Sequence, residues 1–301
     1  MTDAIREGEA VADAVNHGAG TDAVTPGAGT DAVDPGAGTD AVDHGSAPAA
    51  VLEVQDLDVA FGKHHVLKRV SLTVPQGRTL GLVGESGSGK STLAKAVVGL
   101  VKPVGGRILL DGVDLTHTRR TVAVRRRVQM IPQDPYSSLN PRMTIGETLA
   151  EALDPRRASV KKQRPQIEAL LNRVALDGEA TARYPQEFSG GQRQRIAVAR
   201  ALAVRPALII ADEVTSALDT SVQAEVLGVL RELRRELDLT MLFISHDLAV
   251  VRHVCDEVAV LQHGELVEVA AREDLFAAPQ HPYTRLLLDS VPDGGPLRTV
   301  A

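Results

Sequence analysis

The sequence predicts an α/β fold organised around an open parallel sheet, and three observations carry that expectation. Three short, largely apolar runs read as buried strands: Thr79–Val83, Ala207–Ala211 and Met241–Ile244. Each passes directly into glycine or polar residues, as expected where ligands gather at the carboxyl edge of such a sheet. Elsewhere apolar residues recur at helical spacing, as in Leu93, Val97, Leu100, Val101 and in Val222, Val226, Leu230, Leu233, Leu237.

Ahead of the first run, Leu52, Val54, Leu57 and Val59 alternate as in a strand. Val66–Val74 reads as a second strand, ending at the turn Pro75-Gln76-Gly77. The run Thr79–Val83 then feeds Gly84-Glu85-Ser86-Gly87-Ser88-Gly89-Lys90-Ser91, a G-x-x-x-x-G-K-S pattern. Glycines there let backbone N–H groups turn inward around phosphate oxygens, and Lys90 reaches the β- and γ-phosphates. Ser91 offers a hydroxyl to Mg²⁺, and the helix that starts there points its positive end at the anion. Pro103 stops that helix.

The second run ends in Asp212-Glu213. A carboxylate at that strand tip can hold Mg²⁺, usually through water, and the next can polarise an attacking water. The third run ends in Ser245-His246-Asp247. A histidine after a strand is a weak sign by itself; beside the glycine loop it completes a constellation for phosphoryl chemistry.

Composition narrows the function classes. The 301 residues are 44% apolar and 24% charged, enough for a core. With no Trp, three Tyr and four Phe, an aromatic platform for single-stranded nucleic acid is hard to build. A net charge of −6 argues against a wide grip on a phosphate backbone. The single cysteine, Cys255, makes no internal disulfide, thiolate cluster or iron–sulfur centre. The acidic start has no apolar run behind it, so no signal peptide is expected, and no run of about 18 apolar residues predicts a membrane span.

Charge also divides the chain. Residues 1–50 carry nine acids and one base, whereas residues 51–301 carry 32 bases and 30 acids. The acidic leader repeats Gly-Ala-Gly-Thr-Asp-Ala-Val at Gly18–Val24, Gly27–Val33 and Gly36–Val42. The nonapeptide period resembles the calcium β-roll pattern, but three units are few for a solenoid, and Pro26 and Pro35 remove ladder donors. A Gly/Ala/Pro-rich, aromatic-free segment predicts disorder instead.

Phe188-Ser189-Gly190-Gly191-Gln192-Arg193-Gln194-Arg195 resembles the signature motif of the ATP-binding-cassette (ABC) ATPases, normally L-S-G-G-Q, with Phe188 in place of Leu. Ser189 reads as a helix cap, and an apolar-periodic segment follows to Pro206. The resemblance covers about 51–298. It implies a P-loop NTPase core of ABC type, an antiparallel β-subdomain at 51–78 and 105–116, and a helical subdomain inserted at about 134–200. ATP and Mg²⁺ are the implied cofactors. Phe61 matches the adenine-stacking aromatic, Gly84–Ser91 with Thr92 the Walker A loop and helix start, and Gln133 the Q-loop glutamine on Mg²⁺. Asp212 matches the Walker B carboxylate, Glu213 the catalytic one, Ser216–Asp219 the D-loop and His246 the switch histidine on the γ-phosphate. Val214 departs from the usual Pro and leaves both carboxylates in place.

The family further implies a head-to-tail dimer with an identical or paralogous cassette. Each ATP would lie between the Walker A loop of one subunit and Ser189, Gly190, Gly191 and Gln192 of the other. Separate permease subunits and, through them, an extracytoplasmic solute-binding protein are the expected partners, with this chain on the cytoplasmic face of the membrane. Gln133–Arg142 and His281–Leu287 resemble segments of oligopeptide, dipeptide and nickel importers, which points to short peptides or a similar small solute. A soluble cassette acting on nucleic acid or ribosomes is the alternative; it usually carries two cassettes or a coiled-coil insert, and this chain shows neither. A GTP switch is disfavoured because no N-K-x-D segment is present. Arg125–Arg127 and Arg234-Arg235 read as solvated faces or ion pairs, and Gln262-His263-Gly264 as a hairpin turn.

Overall fold

The structure, a computed structural model, describes residues 49–117, 120–134, 138–216 and 218–290. The leader repeats, Tyr136, Ala217 and positions 291–298 lie outside the described residues. Two sheets form the body. The first is antiparallel, in the order β2 (His64–Pro75), β1 (Ala50–Phe61), β4 (Gly105–Leu110), β5 (Val113–Asp114). The second has six strands in the order β10 (Glu265–Ala271), β9 (Glu257–Gln262), β3 (Thr79–Val83), β8 (Met241–Ile244), β7 (Leu208–Asp212), β6 (Val128–Ile131). All its pairings are parallel except β10 on β9.

The unbroken apolar runs follow from burial on both faces of this sheet. In β7 and β8, Leu208, Ile210, Leu242 and Ile244 join one core with Leu80 and Leu82, the antiparallel sheet, and Leu93 and Val97 of α1 (Lys90–Val98). The alternate residues, Ile209, Ala211, Met241 and Phe243, face a second core. That core takes in Ile145 and Leu149 of α3 (Ile145–Leu153), Ile167 and Leu171 of α4 (Val160–Arg173) and Ile196 of α5 (Gly190–Leu202). The period-2 alternation thus gives each strand two apolar faces, and neither can be polar.

Local chemistry ends the helices. Thr144 and Glu147 form a capping box at α3, with Thr144 N donating to Glu147 Oε2 at 2.8 Å. Asp219 caps α6 (Thr220–Leu237), accepting from Val222 N at 3.0 Å. Val226, Leu230 and Leu233 of that helix are buried, as its apolar stripe predicts.

Of the two readings of the arginine run, solvated face or ion pairs, Arg127 takes the second. On α2 (Val122–Arg127), Arg126 donates to the Ala152 and Leu153 carbonyls at the end of α3, and Arg127 pairs with Asp111. Both satisfy groups that helical periodicity alone does not reveal. Arg234 pairs with Asp256 at 2.5 Å. Among the described residues, no helix is long and apolar enough to cross a membrane.

Candidate functional site

Because β3, β6, β7, β8 and β9 run the same way, their carboxyl ends share one edge, and the polar residues that follow them collect there. Gly84–Gly89 links β3 to α1. Gly84, Gly87 and Gly89 have φ of 148°, 83° and 112°, a region closed to side chains with a Cβ. A Cβ at Gly84 would also overlap the Leu261 carbonyl at the end of β9. Gly89 caps α1 with no side-chain partner, which leaves the first amides of that helix facing the loop.

Two lysine bonds close the loop on itself. Lys90 Nζ donates to Gly84 O at 2.7 Å and Glu85 O at 2.8 Å, and the residue is only 4% exposed. Burial pushes its ammonium below the ordinary value, against the pull of Glu213, Asp212 and Glu85. Asp212 shifts the other way: burial raises its carboxyl, opposed by a bond from Ser91 and reinforced by Glu213. Ser91 Oγ donates to Asp212 Oδ1 at 3.1 Å. A desolvated ammonium and a desolvated carboxylate side by side suit an anion and a cation bound together. Among the described residues, the buried Ser88 Oγ has no hydrogen-bond partner.

Beyond the β7 tip the chain turns sharply. Glu213 has φ 48°, left-handed for a residue with a Cβ, and Ser216 Oγ donates to Glu213 O at 3.0 Å to hold the turn. Its carboxylate gathers groups from the two flanking strand ends. Gln133 Nε2, past β6, donates to Glu213 Oε2 at 3.0 Å and to Ser216 Oγ at 3.1 Å. His246 Nδ1, past β8, lies 3.5 Å from Glu213 Oε1. The Glu213 side chain is 17% exposed and that of His246 is 57% exposed, so the carboxylate is sheltered while the imidazole faces outward.

Gly84–Ser91, Gln133, Asp212, Glu213 and His246 therefore converge. Thr92 is half-buried in the first turn of α1, and Phe61 is 55% exposed at the end of β1. Ser189, Gly190, Gly191 and Gln192 form a separate feature, and among the described residues no hydrogen bond joins them to Gly84–Ser91. Ser189 Oγ accepts from Gln192 N at 3.3 Å, and Gln192 Oε1 accepts from Ser189 N at 3.0 Å. A Cβ at Gly191 would overlap Val222, and one at Gly190 would lie 3.3 Å from Leu218. Phe188 is buried under the Arg183 guanidinium, 4.2 Å from its ring centre, which accounts for an aromatic where a leucine is usual.

Two contacts on the glycine loop escape sequence reading. Gly264, in the β9–β10 hairpin, donates its N–H to Ser88 O at 3.0 Å. Tyr283, in α9 (Pro282–Asp289), accepts from Glu85 N at 3.0 Å through its hydroxyl. Both lie more than 170 residues from the loop along the chain; the only sequence signal was the Pro/Tyr-rich segment His281–Leu287 itself.

Comparison with known proteins places this arrangement. The family described as "ABC transporter" matches residues 67–216, and the one described as "Oligopeptide/dipeptide transporter, C-terminal region" matches residues 267–300. A protein of Brucella ovis described as a peptide import ATP-binding protein is 50% identical over 77% of this chain and 74% of its own. The oligopeptide transport ATP-binding protein OppF of Bacillus subtilis is 46% identical over 80% of this chain and 82% of its own. Among solved structures, cbiO1 of Clostridium perfringens, part of the ABC transporter complex cbiONQ, matches with a TM-score of 0.69 and 27% identity. That match covers 76% of this chain and 92% of cbiO1. Identity at this level over most of both chains shows that the protein belongs to the ABC transporter family, as one of its ATP-binding proteins.

Proposed function

We propose that the protein is the ATP-hydrolysing subunit of an importer for short peptides or a similar small solute. The convergence of Lys90, the Ser91–Asp212 pair and the Gln133–Glu213–His246 group on one sheet edge carries the reading. Lys90 exchanges the Gly84 and Glu85 carbonyls for β- and γ-phosphate oxygens, and the loop amides surround the rest. Ser91, Asp212 and Gln133 would hold Mg²⁺, which would neutralise charge on the phosphates. Among the described residues no cluster of three or more His, Cys, Asp or Glu could hold a metal. A hydroxyl, an amide and one carboxylate suit an ion that takes most of its ligands from water and phosphate.

Glu213 orients the attacking water and draws its proton, and Gln133 fixes the carboxylate by donating to Oε2. His246 lends a donor to charge building on the γ-phosphate. Phe61 offers an exposed ring for the adenine. Ser189, Gly190, Gly191 and Gln192, with Asp219 at the start of α6, serve the nucleotide of a second cassette, identical or paralogous. The peptide reading draws on the relatives' descriptions and on the matched C-terminal region. Permease subunits in the membrane supply the pore, an extracytoplasmic binding protein delivers the solute through them, and this chain docks on their cytoplasmic face.

Glu213→Gln is expected to bind Mg-ATP, to hydrolyse it at least about a hundredfold more slowly, and to trap an ATP-dependent dimer on size-exclusion chromatography. Turnover near that of the unaltered protein would remove Glu213 from the catalytic role. Gene disruption with uptake of labelled dipeptides, oligopeptides and, separately, nickel tests the solute, and unchanged uptake of the peptides overturns the peptide reading.

A further inference from the structure

We propose that Tyr283 is a positioning residue for ATP binding, holding the phosphate loop in shape when Lys90 turns from the loop to the nucleotide. The inference rests on the ATPase reading above and goes beyond it by giving the C-terminal segment a task at the nucleotide. The Gly84–Glu85 peptide is gripped on both sides. Its carbonyl, Gly84 O, accepts from Lys90 Nζ at 2.7 Å, and its N–H, on Glu85, donates to the Tyr283 hydroxyl at 3.0 Å. Lys90 cannot serve that carbonyl and a phosphate with the same geometry. Once the lysine moves, Ser88 N still holds Glu85 O at 3.2 Å, and among the described residues the bond to Tyr283 is the side-chain contact left on the Gly84–Glu85 peptide.

The rest of the loop shows why that hold matters. On the far side Ser88 O is anchored by Gly264 N at 3.0 Å, and Gly84 is pressed against the Leu261 carbonyl. Glu85, Ser86 and Gly87 lie between these anchors and are exposed. Tyr283 pins the exposed arch at its start. The inward-facing amides that would surround phosphate follow directly from that point, so a shift of the Gly84–Glu85 peptide misaligns them.

Tyr283 is itself firmly placed. The residue is 6% exposed and belongs to the core shared by the sheet and the helices. The turn before it is set by Glu268 of β10, whose two carboxylate oxygens accept from Gln280 N at 2.8 Å and His281 N at 2.9 Å. His281 Nδ1 accepts from Tyr283 N at 3.2 Å and caps α9. Arg285 folds back onto the Pro279 and Gln280 carbonyls. A carboxylate, an imidazole and a guanidinium thus fix one short turn, and its product is the placement of a single hydroxyl.

The test is Tyr283→Phe in the full-length protein, with KM for ATP, kcat and thermal stability measured together. The ring keeps its place in the core and only the hydroxyl is lost. KM should rise about fivefold, the size of one neutral hydrogen bond, with kcat within about twofold and the unfolding temperature nearly unchanged. A merely structural tyrosine would move stability and leave KM alone. Glu268→Ala should raise KM less, and in the Tyr283→Phe background it should add nothing, since it acts through the same hydroxyl. An unchanged KM in Tyr283→Phe beside an active wild-type protein overturns the role of Tyr283 alone. A wild-type protein that neither binds nor hydrolyses Mg-ATP overturns the nucleotide reading beneath it.

Discussion

Glycine stands at the starts of both α1 and α5, and the two helices use it for opposite reasons. At α1 the glycines serve backbone conformation: Gly84, Gly87 and Gly89 sit at φ of 148°, 83° and 112°, and the helix start has no side-chain cap. At α5, Gly190 and Gly191 are ordinary helical residues, and Ser189 with Gln192 closes a complete capping box. Glycine is needed there for space, because Val222 at the start of α6 fills the volume a Cβ would take. The first start is an open cradle whose own strand edge supplies Lys90, Asp212 and Glu213. The second is a rigid, satisfied helix end held tight against α6, suited to meeting charge brought from outside the chain.

The difference is sharpest under mutation. Gly84→Ala should be the most damaging change, because the new methyl meets strained φ and a backbone carbonyl together. A loss of about 3 kcal/mol in stability, with no measurable nucleotide binding, is expected. Trimming a neighbouring side chain cannot relieve an overlap with the Leu261 carbonyl. A Gly84→Ala protein as stable as wild type in chemical denaturation would break the comparison at once.

Gly191→Ala comes next, at about 2 kcal/mol, and its cause is a side chain. The double variant Gly191→Ala/Val222→Ala should therefore recover most of the lost stability, which denaturation midpoints would show as clear non-additivity. Additive losses would mean that Gly191, like Gly84, is required by the backbone rather than by packing.

The same contrast explains how far the sequence could be read. The cradle was legible because G-x-x-x-x-G-K-S is contiguous and follows a buried strand, and Asp212, Glu213 and His246 each follow strands of the same kind. The α/β class was legible because β7 and β8 carry apolar residues on both faces. What escaped were contacts made across the chain. Gln262-His263-Gly264 read as a hairpin, and it is one, yet it also anchors Ser88. Tyr283 sat in a segment that carried only a family likeness, and nothing local announces a hydroxyl that reaches Glu85, 198 residues earlier. Arg126 read as part of a solvated face or an ion pair, and the α3 carbonyls it serves escaped because they lie 26 and 27 residues ahead. Spacing reports what one segment presents, and a bond between distant segments has no spacing to report.

The smallest expected effect on stability separates the two tasks of the α5 start. Gln192 Oε1 accepts from Ser189 N at 3.0 Å, so the side chain that the signature motif assigns to a nucleotide already has a structural partner. Gln192→Glu preserves that bond, since glutamate fills the third position of a capping box as well as glutamine does, and its charge complements the helix dipole. Stability should change by less than about 0.5 kcal/mol, upward if at all. A carboxylate at this helix end would, however, repel a γ-phosphate presented by a second cassette. Mg-ATP binding to the isolated subunit should then stay at the wild-type level, because the loop at Gly84–Ser91 is untouched, while ATP-driven dimerisation and turnover fall about tenfold or more. Full turnover in this variant would show that Gln192 only caps, and that charge at the α5 start does not meet nucleotide during hydrolysis.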